Sequence, residues 1–259
     1  MEVHAHTHTE RKKFAHYLWE FLMLFFAVFC GFLAENFREH QAERKKERKY
    51  VVRIKKDLEA DTAGLNKFIP LFRMRIRRID SLISMLESSG ETDQGSDLYY
   101  FARVSTQTTL FQANRNTITE LNNSGNLRLI TNQDLVSGLI VYQQIIENYL
   151  SLNSVDTKEG ELLYPLLGTL FDASIINNLL KRMHNEVLSL PDDSLINPQR
   201  ATFDRPTGNP QLRNHNKDDI NKLIFNLHER KSSFVAELNL LKREKMAAVS
   251  LIQSINNEY

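Results

Sequence analysis

Residues Val51–Leu86 read VVRIKKDLEADTAGLNKFIPLFRMRIRRIDSLISML, and their apolar side chains recur every seven positions. One row consists of Val51, Leu58, Leu65, Phe72, Ile79 and Leu86. A second row interleaves with it at spacings of three or four and consists of Ile54, Thr62, Ile69, Ile76 and Ile83. A seam of this length predicts one long helix that packs against other helices.

Two features inside this stretch qualify the prediction. Pro70 is expected to kink or break the helix at Ile69, because proline lacks an amide hydrogen and clashes with the preceding turn. A cluster of arginines follows the proline, and we interpret it as a solvated helix face. The cluster consists of Arg73, Arg75, Arg77 and Arg78.

A second long helix is predicted near the C-terminus, over Asp218–Asn256. Its main row repeats every seven residues as Ile220, Leu227, Phe234, Leu241, Ala248 and Ile255. The other seam position is filled by Leu223 or Ile224, by Leu238, and by Leu251 or Ile252. The two long helices have similar lengths, so we expect them to pack on each other. The side chains expected between them are Leu65, Phe72, Ile79, Leu227, Phe234 and Leu241.

Shorter segments connect the two long helices. Their predicted boundaries are a loop at Ser88–Ser96, a helix at Asp97–Gln112, a short helix at Thr117–Asn122, a helix at Gln133–Leu152 capped by Thr131 or Asn132, an apolar core segment at Leu162–Leu180, and a long loop at about 190–217. The low content of glycine and proline, 9 and 6 residues, favours long helices. We therefore predict an all-α fold with an elongated antiparallel helical bundle over residues 38–259.

The strongest apolar run is Phe21–Ala34, FLMLFFAVFCGFLA, which contains no charged residue. As a helix it would span about 21 Å, which is less than the roughly 30 Å hydrocarbon core of a bilayer. Extending the run to residues 14–37 gives a sufficient length, and we predict a single transmembrane helix there. A cleaved signal peptide and a buried core helix are the alternatives. No A-x-A cleavage site follows the run, and its phenylalanines point to all sides of the helix.

Three residues of this segment are candidates for a function in the membrane: Glu20, Gly31 and Glu35. A carboxylate costs about 2–3 kcal/mol at mid-bilayer and less near the surface. Glu20 therefore either reaches the interface beside Trp19, or faces a neighbouring helix or water in an oligomer. Gly31 offers a flat surface for helix packing.

Residues 38–49, which follow the segment, are polar and are interpreted as a solvated continuation of the helix. Six basic residues there are candidates for contact with anionic lipid headgroups. These are Arg38, Arg44, Lys45, Lys46, Arg48 and Lys49. Glu39, Glu43 and Glu47 weaken that attraction.

Residues 1–13 precede the segment and are predicted to be a flexible tail. His4, His6 and His8 alternate in it, a spacing that suits Zn or Cu on an extended strand, although a flexible tail must lose entropy to form such a site. We therefore assign no metal. Three basic residues, Arg11–Lys13, face six on the other side of the segment. The positive-inside rule then favours a cytoplasmic bundle attached to the inner membrane.

The N-terminal sequence HTHTERKKFAHYLWEFLMLFFAVFCGFLAENFREHQAERK carries a recognisable pattern. Its elements are Trp19-Glu20-Phe21, Gly31 and the exit Leu33-Ala34-Glu35-Asn36. This pattern resembles the N-terminus of an uncharacterised family of single-pass membrane proteins in Bacteroidota. The stretch Thr117–Leu135, TITELNNSGNLRLITNQDL, is similar to the middle of the same family, although more loosely. The resemblance implies a membrane anchor followed by a helical domain, and it implies no activity.

Composition limits the function classes that remain. The 33 Lys+Arg and 32 Asp+Glu residues give a net charge of +1, which argues against a surface built for nucleic acid. One Cys excludes an intramolecular disulfide. A mean hydropathy of -0.39 excludes a polytopic membrane protein and allows one span.

The search for catalytic chemistry finds no Gly-rich phosphate loop, H-E-x-x-H, G-x-S-x-G or Cys pair. We therefore assign no catalytic residue and no cofactor, and we do not expect an enzyme. The first functional hypothesis is a membrane-anchored helical scaffold or sensor that acts by protein–protein interaction. The alternative is an oligomeric membrane effector or channel subunit, assembled through residues 14–37 around Glu20.

Overall fold

The computed structural model describes residues 14–88, 93–180 and 203–259, which are helical over most of their length and contain no strand. The helices in these ranges are α1 at Phe14–Glu87, α2 at Gly95–Ser105, α3 at Asn116–Asn123, α4 at Gln133–Leu170, α5 at 173–180 and α6 at Lys217–Glu258. A 3-10 turn at Asn126–Leu129 lies between α3 and α4. The predicted all-α class is confirmed for the described residues.

Helix α1 is continuous over 74 residues, and the break expected at Pro70 is therefore wrong. Proline removes one backbone hydrogen bond and costs about 3 kcal/mol inside a helix. Phe68, Ile69 and Phe72 flank it and are each no more than 7% exposed. Burial of these three side chains offsets that cost, since each contributes about 1.5–3 kcal/mol.

Helix α6 packs along both α1 and α4, and we call the chain from Glu47 onward the packed region. Contacts between α1 and α6 run in opposite sequence order. Asp80 meets Lys231, and the Phe72 ring lies 5.8 Å from the Phe234 ring. At the other end, the Tyr259 hydroxyl donates to Glu47 at 2.7 Å.

Helix α4 packs along α6 and reaches α1 through individual side-chain contacts. It runs in the same order as α1, since Thr131 contacts Glu47 and Tyr142 contacts Asp61. It runs in the opposite order to α6, because Glu159 accepts a hydrogen bond from Ser233 whereas Gly138 faces Leu251. The core is therefore built by three helices, not by the two that the heptads alone predicted.

The main heptad rows of α1 and α6 are confirmed as core. The six side chains expected between the two helices are at most 2% exposed: Leu65, Phe72, Ile79, Leu227, Phe234 and Leu241. Helix α4 adds a row of its own, spaced by seven: Leu135, Tyr142, Tyr149, Asp156, Leu163 and Leu170. These rows form two apolar clusters, one around Leu58 and Leu139 and the other around Phe72 and Leu163.

Two predicted boundaries between the long helices need correction. The helix expected at Asp97–Gln112 begins two residues earlier, at Gly95. It ends already at Ser105, because the threonines that follow disfavour the helical conformation. The helix expected to end at Leu152 continues to Leu170, through Pro165. Its N-cap is Asn132, whose side chain accepts from the Leu135 amide, as predicted.

The segment at 162–180 contributes to the core, as predicted, through the end of α4 and through Phe171 and Leu179. Residues 203–216 form an irregular strap that leads to α6. The Tyr99 hydroxyl ties this strap to α2, since it donates to the Gln211 carbonyl at 3.0 Å and accepts from the Asp172 amide. The rest of the loop predicted at about 190–217, residues 190–202, lies outside the described residues.

The first part of α1 is unlike the packed region. It contains a stretch of mean hydropathy 2.0, long and apolar enough to cross a membrane, and none of that stretch is buried. Its phenylalanines stack on each other along the helix, with ring centroids of Phe25 and Phe29 5.8 Å apart. No other described helix has the length and composition for a membrane span.

Candidate functional site: two buried charged layers

Charged side chains occupy core positions in all three long helices. In α6 the second row, spaced by seven, is Leu223, Arg230, Glu237, Glu244 and Leu251, and its three charged members are 0% exposed. In α1 the corresponding row is Ile54, Asp61, Phe68, Arg75 and Leu82. In α4 the second row is Leu139, Ile146, Asn153, Gly160 and Leu167. Of the second row predicted for α1, Ile54, Ile69 and Ile83 are buried as expected. Thr62 and Ile76 are only half-buried, whereas Asp61, next to Thr62, is 4% exposed.

These side chains form two layers. The mixed-charge layer consists of Arg75, Asn153, Asp156, Arg230 and Glu237. The acidic layer consists of Asp61, Tyr142 and Glu244, and it lies between the two apolar clusters.

Arg230 is the centre of the mixed-charge layer. Its guanidinium donates to the backbone carbonyl of Asp156 at 2.7 Å and to that of Gln107 at 2.9 Å. The same group lies 3.2 Å from the Asp156 carboxylate and 5.0 Å from the Phe234 ring centroid. A buried charge is tolerated only with such partners, because its desolvation costs several kcal/mol.

Gly160 makes room for this guanidinium. A Cβ atom at position 160 would overlap the Arg230 guanidinium. The glycine is required for the close approach of the Arg230 side chain to the α4 backbone, not for an unusual backbone conformation. Gly160 and Arg230 are therefore matched residues of α4 and α6.

Arg75 and Glu237 complete the mixed-charge layer. The Arg75 side chain donates to the Thr109 hydroxyl and lies between the Phe72 and Phe234 rings, at 5.7 and 5.6 Å from their centroids. Burial lowers its pKa to about 10, so it remains a cation at neutral pH. The side chain is only half-buried, so the interpretation of this arginine as part of a fully solvated face needs correction in this respect.

Glu237 accepts from the Asn153 amide at 3.3 Å through one oxygen. Its other oxygen has no hydrogen-bond partner among the described residues. Burial, together with the nearby Asp156 carboxylate, raises the pKa of Glu237 to about 8, and Arg75 and Arg230 only partly oppose that shift. Asp156, paired with Arg230, carries the negative charge of this layer.

The acidic layer contains two carboxyl groups and no cation. The Tyr142 hydroxyl donates to Asp61 at 2.7 Å, and the Asn114 amide donates to the other Asp61 oxygen at 2.8 Å. Neither Glu244 oxygen has such a donor among the described residues. Burial first, and then the charge of Asp61, raise the pKa of Glu244 to about 8, and the nearby Tyr142 hydroxyl, which donates to Asp61, only weakly opposes that rise. Glu244 therefore holds a proton at neutral pH. Burial raises the pKa of Asp61 as well, but its two hydrogen bonds oppose that rise and favour the ionised form.

The chemistry available to these layers is proton uptake and release, coupled to packing. Four of these side chains are fully buried, so a solute has no access to them in this conformation: Asp156, Arg230, Glu237 and Glu244. Within the described ranges no group of three or more His, Cys, Asp or Glu side chains is arranged to hold a metal ion. His4, His6 and His8 lie outside the described residues.

The predicted membrane residues lie apart from both layers. Glu20 contacts His16 of the preceding turn at 3.1 Å. Gly31 has nothing within 4 Å of an added Cβ, and Glu35 pairs with Arg38 at 2.6 Å. All three belong to the exposed first part of α1.

The six predicted lipid-contact residues, Arg38, Arg44, Lys45, Lys46, Arg48 and Lys49, are all exposed on α1. The interpretation of residues 38–49 as solvated on every face is wrong at Glu47, which is 6% exposed. Glu47 accepts from the Thr131 amide and hydroxyl at 2.7 and 2.8 Å, and from the Tyr259 hydroxyl. Burial opposes its ionisation, but these donors hold the pKa of Glu47 below its usual value.

Sequence reasoning missed the buried layers because charged residues in a helix usually face water. A signal was present, however, in the strict spacing of seven. Arg230, Glu237 and Glu244 continue the row that begins at Leu223 and ends at Leu251. Assigning the seam to the nearest apolar neighbour, such as Leu238 in place of Glu237, concealed this row.

The comparisons with known proteins leave the assignment to the structure. No family model matches the chain, and neither a curated protein nor a solved structure matches it significantly.

Proposed function

We propose that this chain is a single-pass membrane protein whose packed region is an elongated antiparallel helical bundle that acts as a scaffold or sensor by protein–protein interaction. One observation carries the proposal: α1 has an apolar, wholly unburied first part and continues without a break into the core. Exposed apolar surface of this extent is unfavourable in water and favourable in lipid. A continuous helix also gives a direct mechanical connection between bilayer and bundle.

The enclosed charged layers suit a sensor better than an enzyme. Their carboxyl groups are fully enclosed and cannot contact a substrate, but their protonation changes the stability of the helix packing. The resemblance to single-pass membrane proteins of Bacteroidota remains part of this proposal, as does attachment to the inner membrane with the bundle in the cytoplasm.

An exposed apolar row on α4 supports the interaction part of the proposal. Val141, Val155 and Leu162 are 49%, 44% and 59% exposed. They are separated by multiples of seven residues and therefore lie on one face of the helix. Exposed apolar residues that share a face are typical of interaction surfaces.

Alkaline carbonate extraction and a topology reporter test the anchor. The full chain is expected to stay with the membrane pellet, and a reporter fused after Tyr259 is expected to be active in the cytoplasm. Release of the chain by carbonate contradicts the anchor. Activity of the reporter only in the periplasm contradicts the orientation while leaving the anchor intact.

Photo-crosslinking in cells tests the interaction. A photoreactive residue at Val155 is expected to give a discrete adduct with another protein or with a second copy. A matched residue at Met246, which is 72% exposed on α6, serves as the control for random collision. Equal, diffuse labelling at both positions would contradict a partner on the α4 face.

A further inference from the structure

A cleft lies where α1 enters the packed region. It has a volume of about 310 Å³, and it is lined by His40, Glu43, Arg44 and Glu47 of α1 and by Arg128, Leu129 and Thr131 from the 3-10 turn and the chain before α4. This volume is at the lower end of the range for small-molecule sites. The cleft is separate from both buried layers.

The turn that supplies Arg128 is fixed by the backbone. Gly125 has a φ of 68°, a left-handed conformation that suits glycine, and it reverses the chain after α3. The reversal brings the 3-10 turn alongside α1, where Arg128 is exposed on the cleft. Two arginines 84 positions apart in sequence therefore line one concave surface.

The acidic side chains of the cleft are already engaged. Glu43 lies 3.7 Å from the His40 ring nitrogen, and Glu47 is held by Thr131 and Tyr259. Among the described residues, neither Arg44 nor Arg128 forms a close ion pair, although the charge of Arg44 helps to hold Glu47 ionised. Two guanidinium groups without a direct carboxylate partner on one cleft favour an anion, and their planar donors match a phosphate group.

The position of the cleft along α1 indicates the source of that anion. His40 is about 5 Å and Arg44 about 10 Å beyond Phe37, at roughly 1.5 Å per residue. The headgroup layer is about 5–8 Å thick on each side of the hydrocarbon core. A segment at 14–37 in the bilayer therefore places His40 in this layer and brings the long Arg44 side chain within its reach.

We propose that Arg44 and Arg128 bind the phosphate group of an anionic phospholipid in the leaflet next to the packed region. This inference rests on the proposed membrane anchor. It goes further than a general attraction of the six basic residues, because it requires one specific side chain from the α3–α4 connection. Bound lipid orients the packed region relative to the membrane surface.

The test uses the full chain in nanodiscs that contain phosphatidylcholine with or without phosphatidylglycerol, and measures the phosphatidylglycerol retained by native mass spectrometry. The Arg44→Gln/Arg128→Gln variant is expected to bind phosphatidylglycerol ~25-fold more weakly, at roughly fivefold per arginine. The control is Arg73→Gln/Arg77→Gln, which removes two exposed arginines of the same helix far from the cleft and is expected to retain wild-type binding.

Three results overturn the proposal: no preference of the wild-type chain for phosphatidylglycerol, equal loss in the control variant, or full binding by the cleft variant. Displacement of the lipid by millimolar inorganic phosphate would identify a site for a soluble anion and would overturn the lipid assignment. Carbonate extraction of the same samples separates this outcome from failure of the anchor. The cleft variant is expected to stay in the membrane pellet while its lipid preference is lost.

Discussion

The two parts of helix α1 place the same residue types in opposite environments. Phe14, Phe21 and Phe32 are 84%, 61% and 63% exposed in the first part, whereas Phe68 and Phe72 are 3% and 1% exposed in the packed region. Acidic residues show the reverse, since Glu35 is exposed whereas Asp61 is 4% exposed. The difference teaches that hydrophobicity alone does not determine burial along this helix.

The distribution of side chains around the axis explains the difference. In the first part, apolar side chains cover every face, and no neighbouring helix can bury them all. In the packed region they form rows that α6 and the shorter elements beside it cover, with charged residues at selected core positions. This distribution suits the first part to an apolar solvent, as proposed above, whereas the second part needs specific polar partners.

The largest expected effect comes from removing the central charge of the mixed-charge layer. Arg230→Ala leaves Asp156 buried without its cation and two backbone carbonyls without a donor. The free energy of unfolding is expected to fall by about 3–5 kcal/mol. Denaturant unfolding of the full chain in detergent, followed by circular dichroism, measures it.

The control for that variant is the next residue on α6. Lys231 pairs with Asp80 at the surface, where both side chains are at least one-third exposed. Lys231→Ala is therefore expected to cost less than about 1 kcal/mol. Equal costs for the two variants would show that the buried layer has no special role.

Phenylalanine truncation compares a buried ring with an exposed ring on helix α6. Phe234 is 2% exposed and contacts Phe72, Arg75 and Arg230, so Phe234→Ala is expected to cost near the lower end of ~3–5 kcal/mol. Phe225→Ala on the same helix removes a ring that is 63% exposed and is expected to change little. A cost below about 1 kcal/mol for Phe234→Ala would place this seam in solvent or against another chain.

The acidic layer makes stability depend on pH with a defined sign. The folded state keeps a proton on Glu244 up to about pH 8, whereas the unfolded chain releases it near 4.5. Stability is therefore greatest below the unfolded pKa and is lost as the pH rises through the folded pKa. Glu244→Gln is expected to remove this loss, so that its stability relative to wild type increases by roughly 3–4 kcal/mol between pH 5 and pH 8.

Unfolding curves recorded between pH 5 and 9 give this difference. Glu229→Gln, at an exposed position of the same helix, is the matched control and is expected to follow the wild-type curve. The neighbouring groups that set the expectation are Asp61 and Asp57 on α1 and Tyr142 on α4. A wild-type stability that rises from pH 5 to 8, with no change in Glu244→Gln, would contradict a protonated Glu244.

The smallest effect is expected in the exposed part of α1. Glu20 has a partner on its own helix, His16, and its side chain is 45% exposed. Glu20→Gln is therefore expected to leave membrane insertion, abundance and oligomeric state unchanged. Loss of a detergent-stable oligomer or of a measurable conductance in this variant would favour the oligomeric effector instead.

Periodicity was sufficient to predict much of the fold. The main rows of α1 and α6, the cap at Asn132 and the apolar N-terminal part all follow from local pattern. The continuity of the helices at Pro70 and Pro165 does not, because tertiary burial outweighs the local cost of proline. Helix α4 was predicted as a helix, but its continuation to Leu170, along most of the length of α6, was not predicted.

The buried layers were not predictable from local pattern in the same way. A charged residue in a seam position is tolerated only if distant residues satisfy it, and for Arg230 these are Asp156, Gln107 and the space beside Gly160. None of the predicted membrane residues belongs to these layers. Strict counting by seven identifies the positions, but only the packed structure identifies their partners.

A spin label on Cys30, the one cysteine of the chain, tests most directly whether the exposed first part of α1 lies in lipid. Collision rates with oxygen and with a water-soluble nickel complex are measured in liposomes, and a label on Cys30→Ser/Met246→Cys reports the exposed surface of the packed region. We expect high oxygen and low nickel accessibility at Cys30, and high nickel accessibility at position 246. High nickel accessibility at Cys30, or low accessibility to both reagents, would contradict a lipid-exposed transmembrane segment.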